Sequence, residues 1–282
     1  MAEATGRKTY REAAPEAALA PWALCFWELA VPAASHVDEA HIVFPDGCCA
    51  LLYSRQPAAA RSHLRVVGPT LRPRQVPLEP RQRFWALRLQ FAACREALGL
   101  DPQALRDQAL DFGPLAPLRA RALHAGLDGC GNFAQAAAVF SAALRRWRVP
   151  ERRVDGEAAA AAAAIAGSDG TEPIAAVAAR AGCGPRQLER RFRRAVGLSL
   201  KEFARARRIR AVATALAGPR GASWADLAAT CGFADQSHLG HEIALTTGES
   251  PARFARRIRM FDAELQAAAM SEIYKTARRA GR

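Results

Sequence analysis

The chain has 282 residues, a formal net charge of +13 and a hydrophobic content of 50%. This length and composition suit two globular domains and exclude general disorder, and the sequence contains no apolar run long enough to insert into a membrane. The excess of positive charge favours a polyanionic partner, with nucleic acid first. Nearly all of that charge is arginine in an alanine-rich chain, so the compositional bias of a GC-rich genome is the alternative explanation.

Seven cysteines are scattered along the sequence without a CxxC pair. The zinc-ribbon and thioredoxin-type patterns are therefore missing, and free thiols fit a reducing compartment. Residues 1–20 are polar and alanine-rich, lack the apolar core of a secretory signal, and are expected to be disordered. We expect a cytoplasmic protein, and we assign no cofactor, no metal ligand and no catalytic residue.

Residues 21–149 are predicted to form a β-rich regulatory domain closed by helices. Short apolar runs alternate with turn residues, a pattern typical of a β sandwich or a barrel-like sheet. Pro45-Asp46-Gly47 suits a tight turn between two strands, with the glycine at positive φ. The predicted strands are 22–29, 41–44, 48–53, 64–67, 75–78 and 84–91, and helical periodicity predicts helices at 92–98, 102–110, 114–126 and 132–147.

An interdomain linker is predicted at residues 150–170. The segment contains an alanine run from Ala158 to Ala164 and ends in Gly167-Ser-Asp-Gly170. Because it has no long apolar stripe, we expect at most a marginal helix here.

Residues 171–259 contain an internal sequence repeat of two copies, whose equivalent positions lie about 50 residues apart. In the first copy a short helix ends at Gly182 and a second begins at Gly184-Pro185, and in the second copy the helices begin at Ser223 and Asp235. Two helix-turn-helix units are predicted, joined by a helix at residues 201–216 that holds them about 34 Å apart, the spacing of successive major grooves. The fold class is α+β, with an all-α C-terminal domain and a tail at residues 260–282.

The second helix of each unit carries the candidate DNA-binding side chains. Residues 171–220 hold twelve basic side chains against three acidic ones, a concentration that favours DNA contact over a merely solvated face. The second unit's helix is nearly neutral, and we expect it to contribute less affinity. The candidates are Arg186, Gln187, Glu189, Arg190, Arg193 and Arg194 in the first unit, and Gln236, Ser237, His238 and His241 in the second.

Residues 174–257 resemble the AraC/XylS family of bacterial transcription regulators. The second unit of that family has the form GF-x-x-QS-x-F/L followed by TG-x-SP, and this chain has Gly232-Phe-Ala-Asp-Gln-Ser-His-Leu239 and Thr247-Gly-Glu-Ser-Pro251. The chain departs from the family at Ile243, where the family usually has an aromatic residue, and at Gly240 and Ala244, near which it often has basic residues. We therefore expect this unit to bind DNA less tightly than its counterparts in the family. The resemblance implies base contacts from Arg186, Glu189, Arg190, Gln236, Ser237 and His241.

The N-terminal domain resembles a sensor-like domain found in a subgroup of these regulators. The resemblance rests on the Phe44-Pro-Asp-Gly47 turn, on Val66-Val-Gly-Pro69 and on the strand-to-helix passage at residues 87–98. It implies a signal-sensing or dimerising role. Cys48 and Cys49 are interpreted either as sensors of oxidants or thiophilic metals, or as small core residues.

The leading hypothesis is a non-enzymatic, sequence-specific transcription regulator that reads successive major grooves and is modulated by its N-terminal domain. Double-stranded promoter or operator DNA is the predicted partner, and no membrane is involved. A small-molecule effector, a second copy of the chain and, for an activator, RNA polymerase are further candidate partners. The alternative is a DNA-localised enzyme or small-molecule-binding protein, such as an alkyl-accepting DNA-repair fusion, although the cysteines lack the ligand spacing that such zinc chemistry needs.

Overall fold

The computed structural model describes residues 8–33, 41–56, 59–147, 153–217 and 223–260. The strands in these ranges are β1 (Thr9–Ala13), β2 (Ala23–Ala30), β3 (His41–Val43), β4 (Ala50–Gln56), β5 (Arg61–Val67), β6 (Arg74–Val76), β7 (Arg83–Leu89) and β8 (Ala109–Asp111). The helices are α1 (Cys94–Leu98), α2 (Phe112–Leu115), α3 (Pro117–Asp128), α4 (Phe133–Trp147), α5 (Gly156–Gly167), α6 (Ile174–Arg180), α7 (Pro185–Val196), α8 (Leu200–Ala217), α9 (Trp224–Thr230), α10 (Gln236–Thr247) and α11 (Pro251–Met260). The predicted α+β class is confirmed.

The N-terminal domain is built on a six-stranded antiparallel sheet in the order β1-β2-β7-β4-β5-β8. One face packs against α3 and α4, where Tyr53 stacks on Trp85 at 5.5 Å and Phe26 stacks on Phe140 at 6.3 Å between ring centroids. The other face of β2 contributes Cys25 to a core shared with the C-terminal helices. Because β2 is buried on both faces, its sequence is a nearly continuous apolar run rather than an alternating one.

The expectation of disorder over residues 1–20 is wrong for its second half. Residues 9–13 form β1, which pairs with β2 from Thr9↔Ala30 to Ala13↔Phe26. The ring centroids of Tyr10 and Trp27 lie 6.0 Å apart, and Leu19 is buried in a short 3-10 helix. These apolar anchors hold a polar segment in place, while residues 1–7 lie outside the described ranges.

Two local predictions in the N-terminal domain also fail. Residues 102–110 do not form a helix: Asp107 has φ +55°, a left-handed conformation that breaks a helix, and β8 then pairs with β5. The Pro45–Gly47 turn has its predicted positive φ, +75° at Gly47, but it does not join a hairpin. Strand β3 pairs with β6, and β4 pairs with β5 and β7, so the turn passes between two sheets.

The predicted linker contains a packed helix. Asp155 caps α5 by accepting a hydrogen bond from the Ala158 N–H at 3.0 Å. Ala161, Ala162 and Ile165 are buried in a core that includes residues of α7 and α8. Alanine combines the highest helix propensity with a small side chain, so α5 packs closely without a stripe of large apolar residues. Residues 150–152 of the predicted linker lie outside the described ranges.

The C-terminal domain is organised around α8, which runs without interruption between the two units. Phe203 near its start packs into the core of the first unit, and Ile209 and Val212 pack into that of the second. Arg207 and Arg210 are both buried on this helix, although arginine side chains usually lie at the surface. Arg207 donates a hydrogen bond to the Ala166 carbonyl at 3.3 Å, so it joins α8 to α5. The predicted tail, residues 260–282, lies outside the described ranges apart from Met260.

Within the residues that the structure describes, no helix is both long and apolar enough to span a bilayer.

Candidate DNA-binding interface

Helix α7 is positioned by its ends and by one buried face. Pro185 occupies its first turn after Gly184, and Gly197 ends it at φ +85°. Proline lacks the N–H that a first turn leaves unsatisfied anyway, and glycine accepts the left-handed conformation that ends a helix. Leu188 and Phe192 are fully buried on one face, which leaves the opposite face of the helix towards solvent.

That opposite face carries the predicted DNA-binding side chains of the first unit. Five of the six are exposed on α7: Arg186, Gln187, Arg190, Arg193 and Arg194. A row of guanidinium groups on one exposed helix face matches the charge and the geometry of a phosphate-lined groove.

The sixth predicted residue, Glu189, is half-buried and has an intramolecular role. One carboxylate oxygen accepts a hydrogen bond from Arg193 Nε at 2.6 Å, and the other accepts one from the Leu200 N–H at 3.2 Å. Glu189 therefore orients Arg193 and ties α7 to the start of α8. The i,i+4 spacing of Glu189 and Arg193 is visible in the sequence and indicates the first of these contacts.

We expect Glu189→Ala to lower the free energy of unfolding by about 1–2 kcal/mol, because each lost hydrogen bond contributes about 1 kcal/mol. Urea denaturation of the full chain measures this change. Gln187→Ala, an exposed neighbour on the same helix, is the matched control and should stay within about 0.5 kcal/mol of the parent protein. Equal stabilities of the two variants would contradict the anchoring role of Glu189.

Arg191 is used inside the molecule rather than on the exposed face of α7. Its Nε lies 3.0 Å from Asp155 Oδ2, and its Nη1 lies 3.0 Å from Glu157 Oε2. Burial raises the pKa of Asp155, but hydrogen bonds from Arg191 and from the Ala158 N–H outweigh it and leave that pKa below its usual value. The sequence gives no sign of this pairing because α5 and α7 are far apart along the chain.

The lowered pKa of Asp155 predicts a pH-dependent contribution to stability. Its ionised form is favoured by folding, so the contribution is present above the unfolded pKa of about 3.9 and is lost as the pH falls through the lower, folded pKa. We expect Asp155→Asn to lower the Tm near neutral pH, and the difference from the parent protein to shrink below about pH 4. A difference in Tm that stayed constant from pH 7 to pH 2 would show that the charge of Asp155 does not matter.

Helix α10 of the second unit is capped by Asp235, whose side chain accepts a hydrogen bond from the His238 N–H at 2.7 Å. The predicted residues Gln236, Ser237 and His241 are exposed on this helix. His238 is half-buried: its Nδ1 accepts a hydrogen bond from the Ala234 N–H at 3.2 Å, and its ring stands edge-on to Phe233. His238 therefore helps to build the turn of the second unit.

The one acidic residue of α10 does not lie on its exposed face. Glu242 is buried, and its Oε2 lies 2.7 Å from Arg205 Nε on α8. This ion pair joins the second unit to α8, and it removes a negative charge that would repel DNA from the exposed face of α10.

Cys48 and Cys49 are both buried, which favours their interpretation as core residues. Burial raises the pKa of the Cys48 thiol well above its usual value, and a protonated thiol is a poor nucleophile and a poor metal ligand. In the described part of the chain, no group of three or more histidine, cysteine, aspartate or glutamate side chains is placed to hold a metal ion.

Two helix-turn-helix units joined by one helix, with exposed basic side chains on a second helix, define a DNA-binding transcription regulator with an additional N-terminal domain. Residues 177–257 match a family model described as a helix-turn-helix domain, and residues 11–111 match one described as a domain of unknown function, DUF6597. The C-terminal region is therefore a helix-turn-helix domain of the AraC type, and the resemblance predicted from the sequence is confirmed.

Solved structures similar to this chain include ToxT from Vibrio cholerae O395, at 11% identity over 79% of this chain and 94% of that chain, with a TM-score of 0.41. An apo point variant of ToxT from Vibrio cholerae strain SCE256 is 12% identical over 83% of this chain and 97% of that chain, with a TM-score of 0.43. Wild-type ToxT from that strain with bound unsaturated fatty acid is 13% identical over 88% and 94%, with a TM-score of 0.37. The comparison with curated proteins gave no match.

Proposed function

We propose that this protein is a sequence-specific transcription regulator that places α7 and α10 in successive major grooves of promoter or operator DNA. The observation that carries the proposal is the exposed arginine row on α7, opposite the buried Leu188 and Phe192, in the first of two repeated units. The AraC-type domain favours a regulator over an enzyme.

In the first unit, Arg186 and Arg190 are assigned to base edges. They lie four residues apart, so they project from the same side of the helix, about one turn from each other. An arginine fork matches the O6 and N7 acceptors of guanine. Gln187, Arg193 and Arg194 are assigned to further contacts with bases or phosphates, and Glu189 acts by orienting Arg193.

In the second unit, Gln236, Ser237 and His241 are assigned to sequence choice, with His238 beside them. A glutamine side chain can pair with the N6 and N7 atoms of adenine, and a serine hydroxyl accepts or donates to several bases. The helix carries no arginine or lysine, so its share of the salt-dependent affinity is small. The second unit then refines a site whose affinity comes mainly from the first.

The N-terminal domain is assigned a modulating role in the cytoplasm. It is the part of the chain in which a small-molecule effector or a second copy would act, and RNA polymerase is the partner if the regulator is an activator. The contacts that join this domain to both helix-turn-helix units, described below, support modulation over a merely tethered domain.

Selection of bound DNA from a random pool with the full-length protein tests this function. We expect a motif of two blocks separated by about one helical turn, 10–10.5 base pairs between centres. The block read by α7 should be the better defined. The logarithm of the binding constant should fall linearly with the logarithm of the salt concentration. Recovery of DNA without any enriched sequence would contradict sequence-specific reading.

A further inference from the structure

The turn of residues 44–47 leaves the N-terminal domain and enters the C-terminal one. Phe44 is buried in the core of the second unit, where its ring stands edge-on to Phe254 with 6.2 Å between centroids. Among the described residues, Phe44 is the only member of that core from the N-terminal domain. Phe44 therefore connects the sensor-like domain directly to α11.

The other end of the turn contacts the first unit. Gly47 has φ +75°, and a Cβ at this position would lie 2.5 Å from Cδ2 of Phe203 on α8. The Phe203 ring in turn stands edge-on to Phe192 of α7 at 5.5 Å and to Phe91 of the N-terminal domain at 5.2 Å. A turn of four residues thus contacts the cores of both helix-turn-helix units.

A half-buried ion pair fixes the shape of the turn. Asp46 Oδ2 lies 3.2 Å from Arg88 Nε on β7, and Asp46 Oδ1 accepts a hydrogen bond from the Cys48 N–H at 2.9 Å. The Arg88 guanidinium also lies over the Trp27 ring of β2. The position of the turn therefore depends on the centre of the N-terminal sheet.

We propose that the turn of residues 44–47 is the coupling element through which the N-terminal domain sets the relative positions of α7 and α10. A shift of β7 moves Arg88 and Asp46, and the turn carries that shift to Phe203 in the first unit and Phe254 in the second. The consequence for DNA rests on the function proposed above. The docking of the turn does not, and it is measurable without DNA.

Gly47→Ala and Gly248→Ala form a matched pair for this test. Both glycines have positive φ, +75° and +72°, so alanine carries similar backbone strain at either position. A Cβ at Gly47 meets Phe203, whereas a Cβ at Gly248 meets nothing within 4 Å. We expect Gly47→Ala to lower the Tm at least twice as much as Gly248→Ala, and to split one calorimetric transition into two.

Two further variants separate undocking from failure to fold. Phe44→Ala removes the contact without adding a clash, and it should increase the radius of gyration in small-angle X-ray scattering while far-UV circular dichroism stays unchanged. Adding Phe203→Leu to Gly47→Ala gives the methyl group room and should restore a single transition. Equal Tm losses for Gly47→Ala and Gly248→Ala, with an unchanged radius of gyration for Phe44→Ala, would overturn the docking role.

The coupling to DNA is read separately. In DNA selections with Phe44→Ala, the two blocks of the motif should remain but the spacing between them should vary. Unchanged spacing in a variant shown by scattering to be undocked would overturn the coupling. Failure of the parent protein to select any sequence would instead count against the proposed function and leave the docking result standing.

Discussion

Arg190→Ala is expected to weaken binding of the selected DNA site by about 1–3 kcal/mol, or about 5- to 150-fold, and to relax preference at one base position. Arg190 is exposed on α7, one helical turn from Arg186 and opposite the buried Leu188 and Phe192. The substitution removes a bidentate donor from the surface without touching the core. Loss of both affinity and base preference indicates direct readout of a base, because loss of a phosphate contact would weaken binding to all DNA sequences alike.

Arg146→Ala is the control for the loss of one positive charge. Arg146 is exposed on α4 of the N-terminal domain and belongs to neither α7 nor α10. Fluorescence anisotropy at one fixed salt concentration, repeated with single-base variants of the site, compares the two proteins. If Arg190→Ala matched Arg146→Ala in affinity and in base preference, α7 would not be the helix that reads DNA.

Phe203→Ala is expected to reduce the free energy of unfolding by about 3–5 kcal/mol, the usual cost of deleting a fully buried aromatic ring. Phe203 is fully buried and contacts Phe192 of the first unit and Phe91 of the N-terminal domain. The cavity would therefore open where three parts of the chain meet. Urea denaturation followed by circular dichroism measures the loss.

Leu118→Ala is the matched control for the loss of apolar side-chain atoms. Leu118 is 82% exposed on α3, so its truncation should change stability by no more than about 0.5 kcal/mol. A Phe203→Ala protein as stable as the Leu118→Ala protein would show that the junction is less tightly packed than its burial indicates.

The sequence predicted the helix-turn-helix units well because their signals are local. Pro185 and Gly197 bracket α7, Asp235 caps α10, and Leu188 and Phe192 mark a buried face by their spacing. Each signal acts within one or two helical turns, so it is readable without knowledge of the partner surface.

Other elements depended on tertiary contacts and were missed. Helix α5 has no amphipathic stripe, and only its close approach to α7 and α8 explains why its alanines are buried. Arg207 is buried and donates a hydrogen bond to the Ala166 carbonyl, a contact that the local sequence does not indicate. The pairing of β3 with β6 rather than β4 likewise depends on contacts that are distant along the chain.

The residues of the candidate DNA-binding interface also divide into those predictable from local sequence and those that depend on tertiary contacts. The exposed positions of Arg186 and Arg190 follow from helical periodicity. The engagement of Arg191 by Asp155 does not, because the carboxylate comes from the capping residue of α5. The contact of Glu189 with Arg193 is indicated by their i,i+4 spacing in the sequence. Its contact with the Leu200 N–H is not, because that contact depends on how α7 and the start of α8 pack together.

Hydroxyl-radical footprinting of the full-length protein on its selected DNA site tests most directly whether α7 and α10 occupy successive major grooves. We expect two protected stretches on one side of the duplex, centred about one helical turn apart. Arg190→Ala should weaken protection of the stretch assigned to α7 before it weakens protection of the other. A single short footprint, or protection that does not depend on sequence, would contradict the placement of two recognition helices in successive major grooves.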